Sequence, residues 1–349
     1  MNLWNSETYL RDITEGLRNL DIDGLRGKRI LITGATGLIG SAIVDTLLQC
    51  SRIYQTGMTV YAAGRSVDKI LGRFPGGDRY GLVPVVYDAT RELEFDFEVD
   101  YIIHGASNAS PDLHLREPVS TMLSNVMGIH HLLDYAVRKG AEKVVYISSS
   151  EVYGKQDHGQ PMTEDRYGLT DILAVRSVYP VGKQAAETMC VAFAHQYGLD
   201  VSIVRPGHIY GPTAQRSDMR VSSDFVRRAA MGEDLVMMSA GSQIRSYCHC
   251  IDCATAILTV LQKGERAQAY NISNRDSVIT IRQMAEYTAA AAGVALRTEI
   301  PAEQSGVYSP ITNSSLNSEK LEGLGWKGQM PAERGFAQSI QVLREIMED

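Results

Sequence analysis

Nowhere in the 349 residues do about 18 apolar residues follow one another, so no segment is long enough to cross a bilayer as a helix. There is no basic excess either. Against 34 Lys and Arg stand 41 Asp and Glu, a formal charge of −7 with no basic run, which argues against nucleic acid or an anionic membrane as a general partner. Cysteine is scarce, at five residues, and an odd number this small makes no disulfide framework. Cys248, Cys250 and Cys253 with His249 resemble a zinc set, but structural zinc sites place two ligand pairs far apart in sequence, and no second pair is evident. The stretch from Arg245 to Ile251 reads instead as a strand with Cys248 and Cys250 on one face as small core hydrophobes, and Asp252 as the cap of a helix to Gln262. No metal is expected. The first 25 residues, with Glu7, Arg11, Asp12, Glu15, Arg18, Asp21 and Asp23, hold neither an apolar signal core nor a cleavage pattern. A reducing cytoplasm is the expected compartment. No internal repeat occurs.

What is present is ordinary in amount and telling in order. Apolar residues make up 44% and charged residues 21%, enough for a substantial core and incompatible with wholesale disorder. The length suits one large α/β domain or two domains sharing an interface. Residues 1–27 read as an amphipathic helical extension, with Tyr9, Leu10, Ile13 and Leu17 near helical spacing and a stop at Gly24 or Gly27. Short apolar runs then alternate with helical patterns. Strands are predicted at Arg29–Thr33, Thr59–Ala63, Val83–Tyr87, Tyr101–His104, Lys143–Ser148 and Val201–Arg205, and helices at Leu38–Gln49, Val119–Lys139 and Pro180–Tyr197. That alternation predicts an α/β fold, a doubly wound parallel sheet of the Rossmann kind, over residues 28–205. Residues 206–349 break into shorter pieces, helical near Ser223–Met231, Asp252–Gln262, Ile281–Ala292 and Ala332–Met347. They predict a smaller substrate-binding lobe, interleaved with the sheet, closing over the strand ends.

Two clusters carry chemistry. The first strand runs into Gly34, Thr36, Gly37, Leu38, Ile39 and Gly40 at a strand-to-helix turn, where glycines allow close backbone approach and the helix N-terminus meets a pyrophosphate. A dinucleotide is therefore expected, NAD or NADP. The second strand ends in Arg65 and Ser66 with no carboxylate for a ribose 2′-hydroxyl, a lean toward the 2′-phosphate of NADP. Asp88 is a candidate partner for the adenine amino group, or a turn-forming Asp. In the second cluster, Tyr179 and Lys183 lie four apart on one helix face, where a cation one turn away would lower the tyrosine's pKa. Ser148-Ser-Ser-Glu-Val-Tyr-Gly ends the fifth strand upstream.

These residues resemble the extended short-chain dehydrogenase/reductase superfamily, its NAD-dependent epimerase/dehydratase family, over about residues 28–292. The resemblance rests on Thr33-Gly-x-x-Gly-x-x-Gly40, His104-x-Ala-Ser-x-x-Ser-Pro111, Asn125-Val-x-Gly, Ser149-Ser-Glu-Val-Tyr-Gly154, Tyr179-x-x-x-Lys183, Arg205-Pro-x-x-x-Tyr-Gly-Pro212 and Gly241-Ser-Gln-x-Arg245. The branch it is most similar to is the UDP-glucuronate decarboxylases, through Ser150-Glu151, Arg176, Ala186–Met189 and Arg220–Phe225. The resemblance implies a tightly bound, recycled nicotinamide cofactor, with Ala89, Gly105, Ala106 and Ser107 beside it, and a nucleotide-sugar substrate oxidised transiently at C4. Tyr179 would take the 4-hydroxyl proton, Lys183 hold the nicotinamide ribose, Ser149 bond the same oxygen and Asn125 steady the lysine. Glu151 would act on the C5 proton. Ser150, Arg176, His208, Arg220, Gln243 and Arg245 would contact substrate, Arg245 being suited to a diphosphate or carboxylate.

The resemblance leaves alternatives open: a 4,6-dehydratase, a 4-epimerase, a net-redox reductase, or a non-catalytic dinucleotide-binding protein on the same fold. The dTDP-glucose type of dehydratase has an Asp where this chain has Ser150. His208 stands where relatives have Asn, Pro180-Val181 replaces Asp-Glu, and loop 154–176 has its own composition. By resemblance a homodimer forms through Val119–Lys139 and Pro180–Tyr197.

Overall fold

The computed structural model describes residues 2–107, 111–155, 159–300 and 312–347, with the backbone alone at 111–113. In chain order the cofactor-side elements are α1 (Glu7–Gly16), β1 (Arg29–Thr33), α2 (Leu38–Tyr54), β2 (Thr59–Gly64), α3 (Val67–Arg73), β3 (Leu82–Val86), β4 (Tyr101–His104), α4 (Pro111–Arg116), α5 (Pro118–Lys139), β5 (Lys143–Ile147), α6 (Val178–Tyr197) and β6 (Val201–Pro206). There follow β7 (His208–Tyr210), α7 (Val221–Ala230), β8 (Leu235–Met237), β9 (Ile244–His249), α8 (Cys250–Lys263), β10 (Ala269–Ile272), β11 (Val278–Thr280), α9 (Ile281–Ala292), β12 (Leu296–Thr298), β13 (Asn313–Ser314), α10 (Glu319–Glu322) and α11 (Ala332–Glu345).

Seven strands form one parallel sheet in the order β10-β6-β5-β4-β1-β2-β3. The central strands are apolar along their length because both sheet faces are covered; all five residues of β5 are buried. On one face Ile30, Ile32, Leu47 and Ile257 join β1 to α2 and α8. On the other, Leu31, Ile102, Leu132 and Cys190 join the sheet to α5 and α6. Chain direction across the sheet reverses between β1 and β4, which opens a crevice at their carboxyl ends where such folds take ligands.

The C-terminal third packs a third core of Phe225, Met237, Tyr247, Met284 and Phe336 among α7, α9 and α11. It also feeds the main sheet. β10 pairs with β6, and α8 lies against α2. Around β9, a smaller sheet gathers β7, β11 and β13.

Several local expectations need correction. The N-terminal helix is only Glu7–Gly16, started by Ser6 accepting from the Tyr9 N–H, and short 3-10 turns follow at Leu17–Asn19 and Asp23–Leu25. Asp252 is not a cap. α8 begins at Cys250 with His249 accepting from the Ile251 N–H, so Cys248 lies on the strand and Cys250 on the helix, both buried. The Asp252 carboxylate instead accepts backbone N–H groups of Gln329 and Met330 and pins the approach to α11.

Candidate active site

The glycine loop is shaped by contacts a side chain would violate. Gly34 has a left-handed φ of 70°, and a Cβ there would sit 2.8 Å from the Gly105 carbonyl. A Cβ on Gly40 would come within 2.2 Å of the Gly34 oxygen. Gly37 caps α2 without a side-chain bond, so the first N–H groups of the helix, at Leu38 and Ile39, are not capped from within. The far side of the loop is held from the lobe, where Gln215 donates to the Thr36 carbonyl and Thr213 to the Leu38 carbonyl. A cradle of this shape fits a dinucleotide pyrophosphate.

Across the crevice the Gly105 N–H donates to the Thr33 carbonyl, and the Ala106 N–H to the Thr33 hydroxyl, which also contacts His104 Nδ1 at 2.7 Å. Burial, then the charge of Lys183, pulls His104 down to about 3, so its imidazole is neutral. Arg65 is exposed at the end of β2. The Ser66 hydroxyl is occupied in capping α3, accepting from the Lys69 N–H. Asp88 forms a turn: its carboxylate accepts from the Thr90 N–H and hydroxyl, which lowers its pKa. Ala89 packs against Gly128 of α5.

Proton-handling residues meet where β5 ends against α6. Ser149 caps a short turn, Ser150–Tyr153, and accepts from the Glu151 N–H at 3.2 Å. Its hydroxyl also acts on Tyr179, lowering the phenol's pKa, as does Arg220. Burial, then Glu151, outweighs both and pushes Tyr179 up to about 12. The Lys183 ammonium donates to the Ile147 carbonyl at 2.8 Å and lies 5.9 Å from the Tyr179 ring centre. Its own burial pulls it down to about 7. The expected lowering of the tyrosine by the lysine is therefore not a property of this buried pair alone. Asn125 does not hold Lys183 either. It accepts from Ser107 at 2.9 Å, donates to the Thr121 carbonyl, and meets α6 at Gly182.

The expected substrate residues surround this floor. Arg176 reaches Glu151 at 3.9 Å. Arg220, at the start of α7, is paired with Asp218. His208 is half-buried, its buried Nδ1 has no hydrogen-bond partner among the described residues, and desolvation with Arg245 and Arg220 nearby pulls it down to about 3. Its imidazole is therefore neutral. The Gln243 carbonyl oxygen is likewise buried without a partner among the described residues. Arg245 is buried on β9 and donates to the Ile244 carbonyl; its burial lowers its pKa. Ser110 of the 104–111 motif and residues 156–158 of the overhanging loop lie outside the described residues.

Two residues escaped the sequence reading. His114 of α4 is buried and stacks on Tyr179, ring centres 4.4 Å apart and planes within 12°. No pattern in the sequence marks it. Glu187, one turn beyond Lys183, is buried with Arg205. A second charged residue one turn beyond Lys183, on the helix face that Ala186 and Cys190 mark as inward, is a signal that could have been read.

Fold and site together define a dinucleotide-dependent enzyme of the short-chain dehydrogenase/reductase type. The family model described as NAD dependent epimerase/dehydratase family matches residues 30–273, and the chain belongs to that family. It is 33% identical over 308 residues to UDP-glucuronic acid decarboxylase 6 of Arabidopsis thaliana, covering 88% of this chain and 86% of that one. To the UDP-N-acetyl-alpha-D-glucosaminuronate decarboxylase of Bacillus cytotoxicus it is 27% identical, covering 92% and 99%. Among solved structures, a dTDP-glucose 4,6-dehydratase from Streptomyces venezuelae with NAD bound superposes with a TM-score of 0.74 at 25% identity, over 91% of this chain and 97% of that one. No helix among the described residues is long and apolar enough to cross a membrane.

Proposed function

We propose that the chain modifies a nucleotide-sugar by transient oxidation at C4 and is most like a UDP-glucuronate decarboxylase. The observation that carries this reading is the grouping of Ser149, Glu151 and Lys183 about Tyr179, with Arg220 acting on the phenol, Arg176 reaching Glu151, and Arg245 beside His208. A bound nicotinamide supplies reversible hydride storage. The phenol oxygen of Tyr179 accepts the 4-hydroxyl proton, and the Ser149 hydroxyl holds the same oxygen in place. Lys183 would hold the nicotinamide ribose. Oxidation at C4 makes a C6 carboxylate the acid of a β-keto acid, which loses carbon dioxide with little acid–base help; Glu151 then governs the proton at C5. Arg245 takes the diphosphate or the carboxylate. Both decarboxylase relatives are named for uronate substrates, which supports a substrate with a C6 carboxylate.

The second reading is a 4,6-dehydratase, favoured by Glu151 as a C5 base and disfavoured in its dTDP-glucose form by Ser150. A 4-epimerase ranks third, since it needs no Glu151. Incubation with UDP-glucuronate, UDP-glucose, dTDP-glucose and GDP-mannose, read by product mass, separates them: loss of carbon dioxide, loss of water, or altered chromatography at constant mass. Bound cofactor with no turnover of any of the four leaves the non-catalytic reading standing.

Three further assignments belong to this proposal. Arg65, at the end of a strand that carries no carboxylate of its own, supports NADP as the cofactor. The cofactor domain is residues 28–205 and the substrate lobe mainly 206–349, exchanging β10 and α8. The exposed Val119, Leu123 and Met127 of α5 and Val191 of α6 form the face of a homodimer, which sedimentation reads directly.

A further inference from the structure

A rigid helix fixes where Tyr179 leaves the chain, and it does not fix the plane of the phenol. The residue is the second of α6, and its oxygen is the far end of a side chain whose terminal torsion has only a broad, roughly two-fold preference. At the hydroxyl, Ser149 supplies one hydrogen bond. A single bond at the tip restrains the oxygen and leaves the ring free to turn about its long axis. Lys183 does not complete the restraint. Its ammonium donates to the Ile147 carbonyl and lies 5.9 Å from the phenol ring centre.

The flat of the ring meets His114. The imidazole is nearly parallel to the phenol, with 12° between the planes and 4.4 Å between the centres, close to the spacing of an offset stack. Both residues are buried, His114 at 2% exposure and Tyr179 at 7%, so neither ring turns away without opening a void. The support is itself braced. The short helix α4, which starts at Pro111, packs against α5 and against the turn Val175–Ser177 that leads into α6. Among the described residues no other ring stacks on Tyr179. Tyr146 lies instead against the Lys183 ammonium, and His104 against Tyr146.

We propose that His114 is a positioning residue, whose ring holds the plane of Tyr179 and so keeps the phenol oxygen directed at the sugar 4-hydroxyl. The inference rests on the reading of Tyr179 as the proton acceptor. His114 acts by its face and not by its nitrogens. The N–H bond and the lone pair of an imidazole lie in the plane of the ring, so no proton passes between two stacked faces. What the stack governs is alignment, and alignment enters the rate: a misplacement of about 1 Å can cost about a hundredfold. Loss of one restraint among several costs part of that. The effect belongs to kcat, because the imidazole is placed behind the phenol and not against the sugar.

The test uses the full chain with dinucleotide bound and the nucleotide-sugar that the wild type converts. His114→Leu keeps apolar bulk in the buried space and removes the flat face, whereas His114→Phe keeps the flat face and removes the nitrogens. In His114→Leu kcat falls about tenfold at unchanged KM and dinucleotide affinity, and His114→Phe retains most of the wild-type rate. Flipping of the Tyr179 ring is read by NMR of tyrosine carbon-13-labelled at Cε, the signal being assigned by its loss in Tyr179→Phe. It speeds up in His114→Leu and not in His114→Phe. If His114→Leu does not fold, His114→Met, whose flexible chain fills an irregular gap, carries the same expectation. An unchanged kcat or an unchanged flip rate in the folded variant overturns the proposal. A rise in KM would make His114 a substrate contact, and a loss shared by His114→Phe would place the effect in the nitrogens; either result also overturns it. The flip measurement needs no substrate. Failure of the wild type to turn over any nucleotide-sugar would therefore defeat the functional reading and still leave the hold of His114 on the ring decided.

Discussion

The two sides of the site are supported in different ways. Ser149, Tyr179 and Lys183 stand on the end of a fully buried strand and the first turns of a 20-residue helix, with Lys183 tied to the Ile147 carbonyl. Rigid elements hold reacting groups closely enough for proton transfer. The facing side is different. Arg176 comes from the exposed 3-10 turn that leads into α6, Arg220 from a helix start where Asp218 holds it, and Gln243 and Arg245 from the entry to β9. There, buried His208 Nδ1 and Gln243 Oε1 have no partners among the described residues. A buried polar atom without a partner is costly, and a bound ligand that brings hydroxyl donors relieves the cost at the Gln243 oxygen. The chemistry is preorganised by the chain; the recognition surface is completed by what it binds.

That difference yields measurable consequences of graded size. Tyr179→Phe removes the proton acceptor and reduces turnover by about a thousandfold or more, while dinucleotide affinity by fluorescence titration is unchanged. Retained turnover would displace Tyr179 from the rigid side. Glu151→Gln stops incorporation of solvent deuterium at C5 and lowers turnover about a hundredfold; normal exchange would make Glu151 a bystander. On the recognition side, Arg245→Lys raises the KM for the nucleotide-sugar about tenfold with a smaller change in kcat, since an ammonium cannot engage an anion in bidentate fashion. A loss confined to kcat would move Arg245 to the chemical side and blur the division. The smallest effect is at the cofactor: Arg65→Ala weakens NADP binding about tenfold and leaves NAD nearly unchanged, because an exposed cation contributes modestly. Equal losses for both cofactors would remove the ground for proposing NADP.

Legibility in the sequence follows the same division. The glycine loop was readable because Gly34 and Gly40 answer to local backbone geometry, and a Cβ at either meets the neighbouring main chain. Tyr179 and Lys183 were readable because helix periodicity alone puts them on one face. The state of that pair was not. Spacing suggested that the lysine lowers the tyrosine, whereas burial moves Tyr179 up and Lys183 down. Asp252 shows the same limit: it stood at a cap position by composition, yet its bonds go to residues 329 and 330, far along the chain. β10 is too short to announce itself as an edge strand of the main sheet.

By itself, the sequence determined the alternation of buried strands and helices, the phosphate-approach turn and the four-residue spacing of tyrosine and lysine. Each of these depends on contacts within a few residues or on a simple periodicity. Only the tertiary structure decided that Glu187 and Arg205, 18 positions apart, close a buried pair beneath Lys183, that His114 stacks on Tyr179, and that β10 and α8 return to the cofactor layer. Those outcomes depend on which surfaces lose water together, and desolvation is a property of the packed chain that no local run of residues carries.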